Sequence, residues 1–356
     1  MKRPTTGAAP GWRRIVFRYE TLLVVLLVIE WLVFYRFGTS TNRRGIVVGF
    51  GTMERQFDIL RHSCEIGLLA LALTPVILTA GIDLSVASVL GFCAVVFGRL
   101  WHDAGLPVWC AAGATLLAGA AAGGVNALFI ARFRLPPLIV TLGTYSLFRG
   151  LAEALTRGAV TYTDFPVGFL FLGQERWLGL PTQAWVFLVV ALFIWTLVHR
   201  RMTGRVFRVI GFSPEGARYA GLAVGRTTAL AYVMAGAIAA LAALIYTARL
   251  GQAKADAAVG YELFAITAVV LGGTSIFGGR GTVPGTLLGI AVIAVLKNGL
   301  AALPAVIRLN AAEESAGLLT GMLLLVALAL GAAPKLLSAR RPRTPLPENL
   351  PIPKSP

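Results

Sequence analysis

Residues 78–88 read LTAGIDLSVAS and set a carboxylate and two hydroxyls, Asp83, Ser85 and Ser88, between two apolar runs. Each run is long enough to enter a bilayer. A charge beside hydrocarbon is costly unless it faces protein or water, so an acid at such a break marks a polar path or a helix terminus that needs an acceptor. Both roles stay open for Asp83, since Asp is also a strong N-cap. The chemistry indicated is solute passage. Residues 135–151, LPPLIVTLGTYSLFRGL, start a helix at Pro136 and Pro137 and carry Thr141, Gly143, Thr144 and Ser146, small residues that let helices pack closely. Residues 260–289 contain Gly272, Gly273, Thr274 and Ser275, followed by Gly278–Gly281, which predicts a broken or tightly turned helix. Residues 204–225 are polar and basic, with Ser213 at an N-cap, Pro214 at the first helical position and Glu215 in the first turn. A short helix lying at the membrane surface is expected there.

The elements that hold these residues are apolar almost throughout. The 356 residues are 57% hydrophobic and 13% charged, with a mean hydropathy of +0.77, whereas soluble domains carry roughly 25% charged residues. Cutting at charges, Gly and Pro leaves runs at 20–37, 62–80, 86–101, 108–131, 137–156, 183–199, 227–248, 261–277, 283–303 and 316–337. A spanning helix needs roughly 20 apolar residues, and transporters also use interrupted ones. The expected fold is therefore an all-α integral membrane protein, a polytopic bundle of about ten transmembrane helices with broken or short members. Its boundaries are 20–337, between tails at 1–19 and 338–356.

Orientation follows from Lys and Arg, which collect in short cytoplasmic loops. Clusters lie before residue 19, at Arg132 and Arg134, through 200–226, and at Arg340, Arg341 and Arg343. Ten spans put all four on the cytoplasmic side, with both termini. Segment 38–61 is the exception, because Arg43, Arg44, Arg55 and Arg61 then fall outside. The net charge of +16 is explained by this bias and by anionic lipid headgroups, with no soluble domain to bind nucleic acid.

Other chemistries lack their residues. Cys64, Cys93 and Cys110 have no CxxC spacing and read as small core hydrophobes. His62, His102 and His199 form no HExxH motif, so no metal site is expected. No GxSxG elbow and no GxxxxGK[ST] loop occurs, and the Gly-rich string at Gly278 lacks the Lys and hydroxyl that hold phosphate and magnesium. If ATP drives transport here, another chain hydrolyses it. Arg149 and Glu153, four apart, are expected to pair on one helix face. Asn126 and Asn298 read as interhelical hydrogen-bond partners, and Lys297 as a side chain reaching for an interface.

Taken in order, Ala80–Ser88, Pro136–Thr144, Gly204–Gly221 and Val269–Gly281 resemble the strings of permease subunits of bacterial ATP-binding-cassette importers of the ribose and simple-sugar type. The resemblance covers about residues 20–335. It implies coupling to an ATPase through Ser213, Pro214, Glu215, Gly216, Ala217 and Gly221. It further implies a translocation path or helix breaks at Asp83, Ser85, Ser88, Asn126, Thr141, Thr144, Gly272, Gly273, Thr274 and Ser275. The implied partners are a cytoplasmic ABC ATPase, a periplasmic sugar-binding protein, a second permease copy as homodimer or paralogue, and membrane lipids. No cofactor is expected on this chain, with ATP and magnesium held by the ATPase. Ala80 and Ala87 stand where such permeases usually have Gly, and Gly216 where the coupling helix usually has Ala. The loop with Asp164, Phe165 and Pro166 is most similar to permeases for rhamnose, related deoxy-sugars or autoinducer systems. An ATP-independent secondary transporter and a nucleoside permease are the alternatives.

Overall fold

The computed structural model describes residues 19–41 and 47–302, with 318, 319, 321, 322 and 325. The expected last span at 316–337 except for those five positions, both tails except for Tyr19, and Arg43 and Arg44 fall outside the described residues. Twelve helices follow in chain order among the described residues: α1 Tyr19–Phe37, α2 Met53–Leu78, α3 Val86–His102, α4 Val108–Ala127, α5 Pro137–Thr156, α6 Val167–Gln174, α7 Thr182–Trp195, α8 Met202–Phe212, α9 Pro214–Tyr219, α10 Val224–Leu250, α11 Tyr261–Leu271 and α12 Val283–Ala301. Strands β1 Thr39–Thr41 and β2 Val47–Gly49 pair antiparallel between α1 and α2, and β3 Arg176–Trp177 with β4 Leu180–Pro181 between α6 and α7. α4 and α7 each end in one π turn, Leu128–Arg132 and Thr196–Arg200.

Six of these, α2, α4, α5, α7, α10 and α12, are long and apolar enough to cross a membrane, counting the π turns with α4 and α7. The expected count of about ten is not confirmed among the described residues, and the expected last span lies almost wholly outside them. α3 and α11 are too short by themselves, because each abuts a break. α11 stops where Gly272 and Gly273 begin, and Gly273 takes a left-handed φ of 85°. α1 has the length, but its 19 residues include Glu20, Glu30 and Arg36. The loop expected over 38–61 is also shorter, since α2 begins at Met53 and carries Arg55 and Arg61 in its first turns. Arg55 is accommodated there by donating Nη2 to the Asn298 carbonyl at 3.1 Å.

α2 is the centre of the bundle, wholly buried from Cys64 to Leu78. α4 crosses α10 with backbones nearly touching: a methyl on Gly236 would sit 2.1 Å from the Gly119 carbonyl, and one on Gly123 would sit 2.2 Å from that of Tyr232. Such glycine contacts substitute packing for the hydrophobic drive that lipid removes. α5 is the opposite case, with only 28% of its span buried and Leu138, Ile139, Leu142 and Leu147 exposed. At one end of the bundle Gly225, opening α10, meets Ala131 at the close of α4, so Arg132, Arg134, Arg218 and Arg226 gather there. The other end holds Tyr162, whose hydroxyl donates to Asp103 at 3.0 Å. His102 and Tyr162 as donors hold the Asp103 carboxyl below the usual carboxylate range.

Candidate functional site

The break between α2 and α3 is built from local turn chemistry. Pro75 lies in the last turn of α2, and Ala80 bends the chain with a φ of 62°, a left-handed conformation that Ala adopts only at a cost of roughly 1–2 kcal/mol. Asp83 Oδ1 then accepts from the Ser85 N–H at 2.8 Å and from the Ser85 hydroxyl at 2.6 Å, an Asx turn two residues ahead of α3. Ser85 is the N-cap residue, but its own side chain caps nothing. Ser88 closes the first turn by donating to the Ser85 carbonyl at 2.8 Å.

Two more helices join this turn. Asn126 of α4 donates Nδ2 to the Ser85 hydroxyl at 2.8 Å and accepts at Oδ1 from Thr144 of α5 at 2.7 Å. Thr141 donates to the Ile82 carbonyl at 3.1 Å. A single connected network thus runs Asp83, Ser85, Asn126, Thr144, from the break through α4 to α5. All four are buried, with Asp83 2% exposed. At 1.5 Å per residue, Asn126 lies about 9 Å and Thr144 about 10 Å inside the arginine-rich end. Tyr232 of α10 faces the same turn, since a methyl on Gly81 would meet its hydroxyl at 2.4 Å. Nothing in the sequence marks Tyr232, which sits alone on an otherwise apolar stretch.

The second group, Gly272–Ser275, is separate from this network. Gly272 packs its backbone on Gly285 of α12, where a methyl would lie 2.4 Å from the Gly285 carbonyl. Ser275 N–H donates to the Arg280 carbonyl at 2.8 Å and Gly278 N–H to the Ser275 carbonyl at 2.9 Å, forming a tight loop. The buried Thr274 hydroxyl has no hydrogen-bond partner among the described residues. The loop docks on the end of α2: Gly279 N–H donates to the Leu78 carbonyl at 3.0 Å.

The third group is α8 and α9. The Ser213 hydroxyl accepts from the Gly216 N–H at 3.0 Å, Pro214 takes the first helical position, and Glu215 lies exposed in the first turn. Ala217 is buried against Ile210 and Val224, while Gly221 turns the chain out of the helix with a φ of 75°. The contact the sequence does not announce is Gly211, one residue before the end of α8. A methyl there would lie 2.0 Å from the Leu78 carbonyl and 2.3 Å from the Gly279 N–H. The α8–α9 arm therefore presses directly on the junction of the two breaks.

Further residues take other roles than expected. Arg149 turns away from Glu153 and donates Nη1 to the Ala255 and Ala257 carbonyls. Asn298 bonds back to Ala294 on its own helix at 2.9 Å, and Lys297 lies over the rings of Tyr261 and Phe264. Glu65 of α2, fully buried, pairs with Arg249 of α10 at 2.6 Å. His199 accepts at Nε2 from the Val283 N–H at 3.1 Å, satisfying an orphan donor at the start of α12. Among the described residues no cluster of His, Cys, Asp and Glu could hold a metal.

The chain is similar to several known proteins. The autoinducer 2 import system permease protein LsrD of Yersinia pseudotuberculosis serotype O:3 (strain YPIII) is 36% identical over 293 residues, spanning 80% of this chain and 84% of that protein. The LsrD protein of Yersinia enterocolitica serotype O:8 / biotype 1B is 38% identical over the same length and shares. A solved inward-facing ABC transporter described as of metal-chelate type is 17% identical, covers 90% of this chain and 99% of its own, and superposes with a TM-score of 0.48. Residues 55–328 match the family described as branched-chain amino acid transport system / permease component. The chain belongs to that family of ABC importer permeases, which translocate solute while a separate subunit hydrolyses ATP.

Proposed function

We propose that this permease carries a small neutral hydroxylated solute, autoinducer 2 in preference to rhamnose, across a bacterial inner membrane by alternating access. The choice of solute is supported by what the LsrD relatives are named for. The arginine-rich end faces the cytoplasm in this reading, as the loop bias requires, and both termini lie on that side. A periplasmic binding protein delivers solute to the opposite end. Two permease copies, identical or paralogous, face each other across α5, whose exposed Gly143, Ser146 and Gly150 permit close approach.

The observation that carries the mechanism is the interlock of Gly211, Leu78 and Gly279. An ATPase docked on α9 moves α8, and α8 has no clearance over the Leu78 carbonyl. Displacement is thereby passed to both breaks at once, and with them to the Asp83 network. ATP binding energy biases the two states of the permease through that contact.

The test is uptake of autoinducer 2 and of rhamnose by cells that also express the cognate ATPase and binding protein. Glu215→Arg and Gly221→Trp are expected to weaken ATPase recruitment and abolish uptake, with membrane insertion intact. Normal recruitment and uptake in both variants sinks the coupling assignment, and uptake of rhamnose alone sinks the choice of solute.

A further inference from the structure

After α10 the chain turns back into the bundle. Ala253 and Tyr162 exchange two backbone hydrogen bonds of 2.9 Å each, and the chain then runs beside α3 until α11 begins at Tyr261. Gly91 of α3 is the floor of this passage: a methyl there would lie 2.8 Å from Arg149 Nη1 and 3.1 Å from the Ala255 carbonyl. Arg149 stands twelve residues into α5, about 18 Å along it. Its Nη1 serves the Ala255 and Ala257 carbonyls, yet Nε and Nη2, both shielded from solvent, have no hydrogen-bond partner among the described residues. Glu262, in the first turn of α11 and 9% exposed, lies within electrostatic reach of that guanidinium without a direct ion pair. Its Oε2 is likewise buried and without a hydrogen-bond partner among the described residues. Leaving such groups unmet costs about 1–3 kcal/mol each and more when charged.

We propose that Arg149, Glu262 and the Ala255 and Ala257 carbonyls form a binding station for a neutral solute with adjacent hydroxyl groups. One hydroxyl donates to Glu262 Oε2 while a neighbouring oxygen accepts from Arg149 Nη2, so the solute supplies the acceptor and donor that the described residues do not. A phosphorylated or carboxylated solute meets the Glu262 charge, and an apolar one leaves all three atoms unmet. The station rests on the import of a hydroxylated solute proposed above and adds where that solute is held within the membrane.

Thermal unfolding of the purified full-length permease with its ATPase tests this, with autoinducer 2 and ribose as probes at millimolar concentration. The wild-type midpoint is expected to rise by about 2 °C or more with at least one probe. Glu262→Gln, which touches neither loop carbonyl, is expected to keep the ligand-free midpoint and to weaken the apparent affinity by about tenfold, the loss of one charged hydrogen bond. Should that variant fail to assemble, Arg149→Lys gives the same readout, keeping a charge for the carbonyls while removing Nη2. An equal shift in wild type and variant, or no shift in wild type with either probe, overturns the station. Wild-type cells that import neither autoinducer 2 nor rhamnose overturn the proposed function instead, while the unfolding shift still decides the station.

Discussion

Gly279 donates its N–H to the Leu78 carbonyl at 3.0 Å, directly beneath the backbone of Gly211. The last carbonyls of a helix have no partner within it, and at the end of α2 one is satisfied by a distant loop. Three segments, the end of α2, the loop after α11 and the end of α8, thus share one point where no side chain intervenes. None of the three has clearance for a side chain at that point.

Gly211→Val puts a branched side chain where even a methyl lies 2.0 Å from a carbonyl oxygen. Because the obstacle is backbone, α8 must shift, at about 1–3 kcal/mol for overpacking. Uptake is expected to fall about tenfold or more while ATPase recruitment, which depends on α9, stays near wild type. Full uptake by this variant, measured beside co-purification of the ATPase, argues against the interlock.

Asp83→Leu removes the acceptor of two hydrogen bonds from Ser85, leaving buried donors at about 1–3 kcal/mol each. Asp83→Asn keeps an oxygen for them. Strong uptake by the Asn variant and loss in the Leu variant identifies turn formation as the role of Asp83. Loss in both, with normal expression, assigns the requirement to the charge itself.

Ala80→Gly relieves a left-handed Ala. Glycine pays no Cβ penalty there, and the variant is expected to be more stable by about 1 kcal/mol, read as a higher unfolding midpoint. A lower midpoint would show that the Ala80 side chain contributes more through packing against Gly278 than it costs in strain.

Arg249→Leu strands the fully buried Glu65 carboxylate, and breaking a buried pair from one side costs about 3–5 kcal/mol. The double variant Arg249→Leu with Glu65→Leu is expected to recover most of that loss, because no buried charge remains. Equal destabilisation of single and double variants in a double-mutant cycle of unfolding midpoints contradicts this account.

What the residues determined alone is local. Hydropathy placed the cores of the six long spans, because a bilayer accepts only segments that satisfy their own backbone. Gly272 and Gly273 ended α11, and the Ser213, Pro214, Glu215 run capped α9, since these signals act within one turn. Tertiary structure decided the partners. Arg149 lies four residues from Glu153, yet Glu153 is exposed and the loop carbonyls are at least partly buried, so the guanidinium goes where unmet acceptors cost more. α2 starts at Met53 and takes in Arg55, which donates to the Asn298 carbonyl of another helix, a contact no cut at charged residues foresees. Asn126 reaches Ser85 and Thr144, and Gly211 reaches Leu78, only once helices distant in the chain are packed together. Patterns within a helix turn are written in neighbouring residues, whereas contacts between helices depend on how the whole bundle closes.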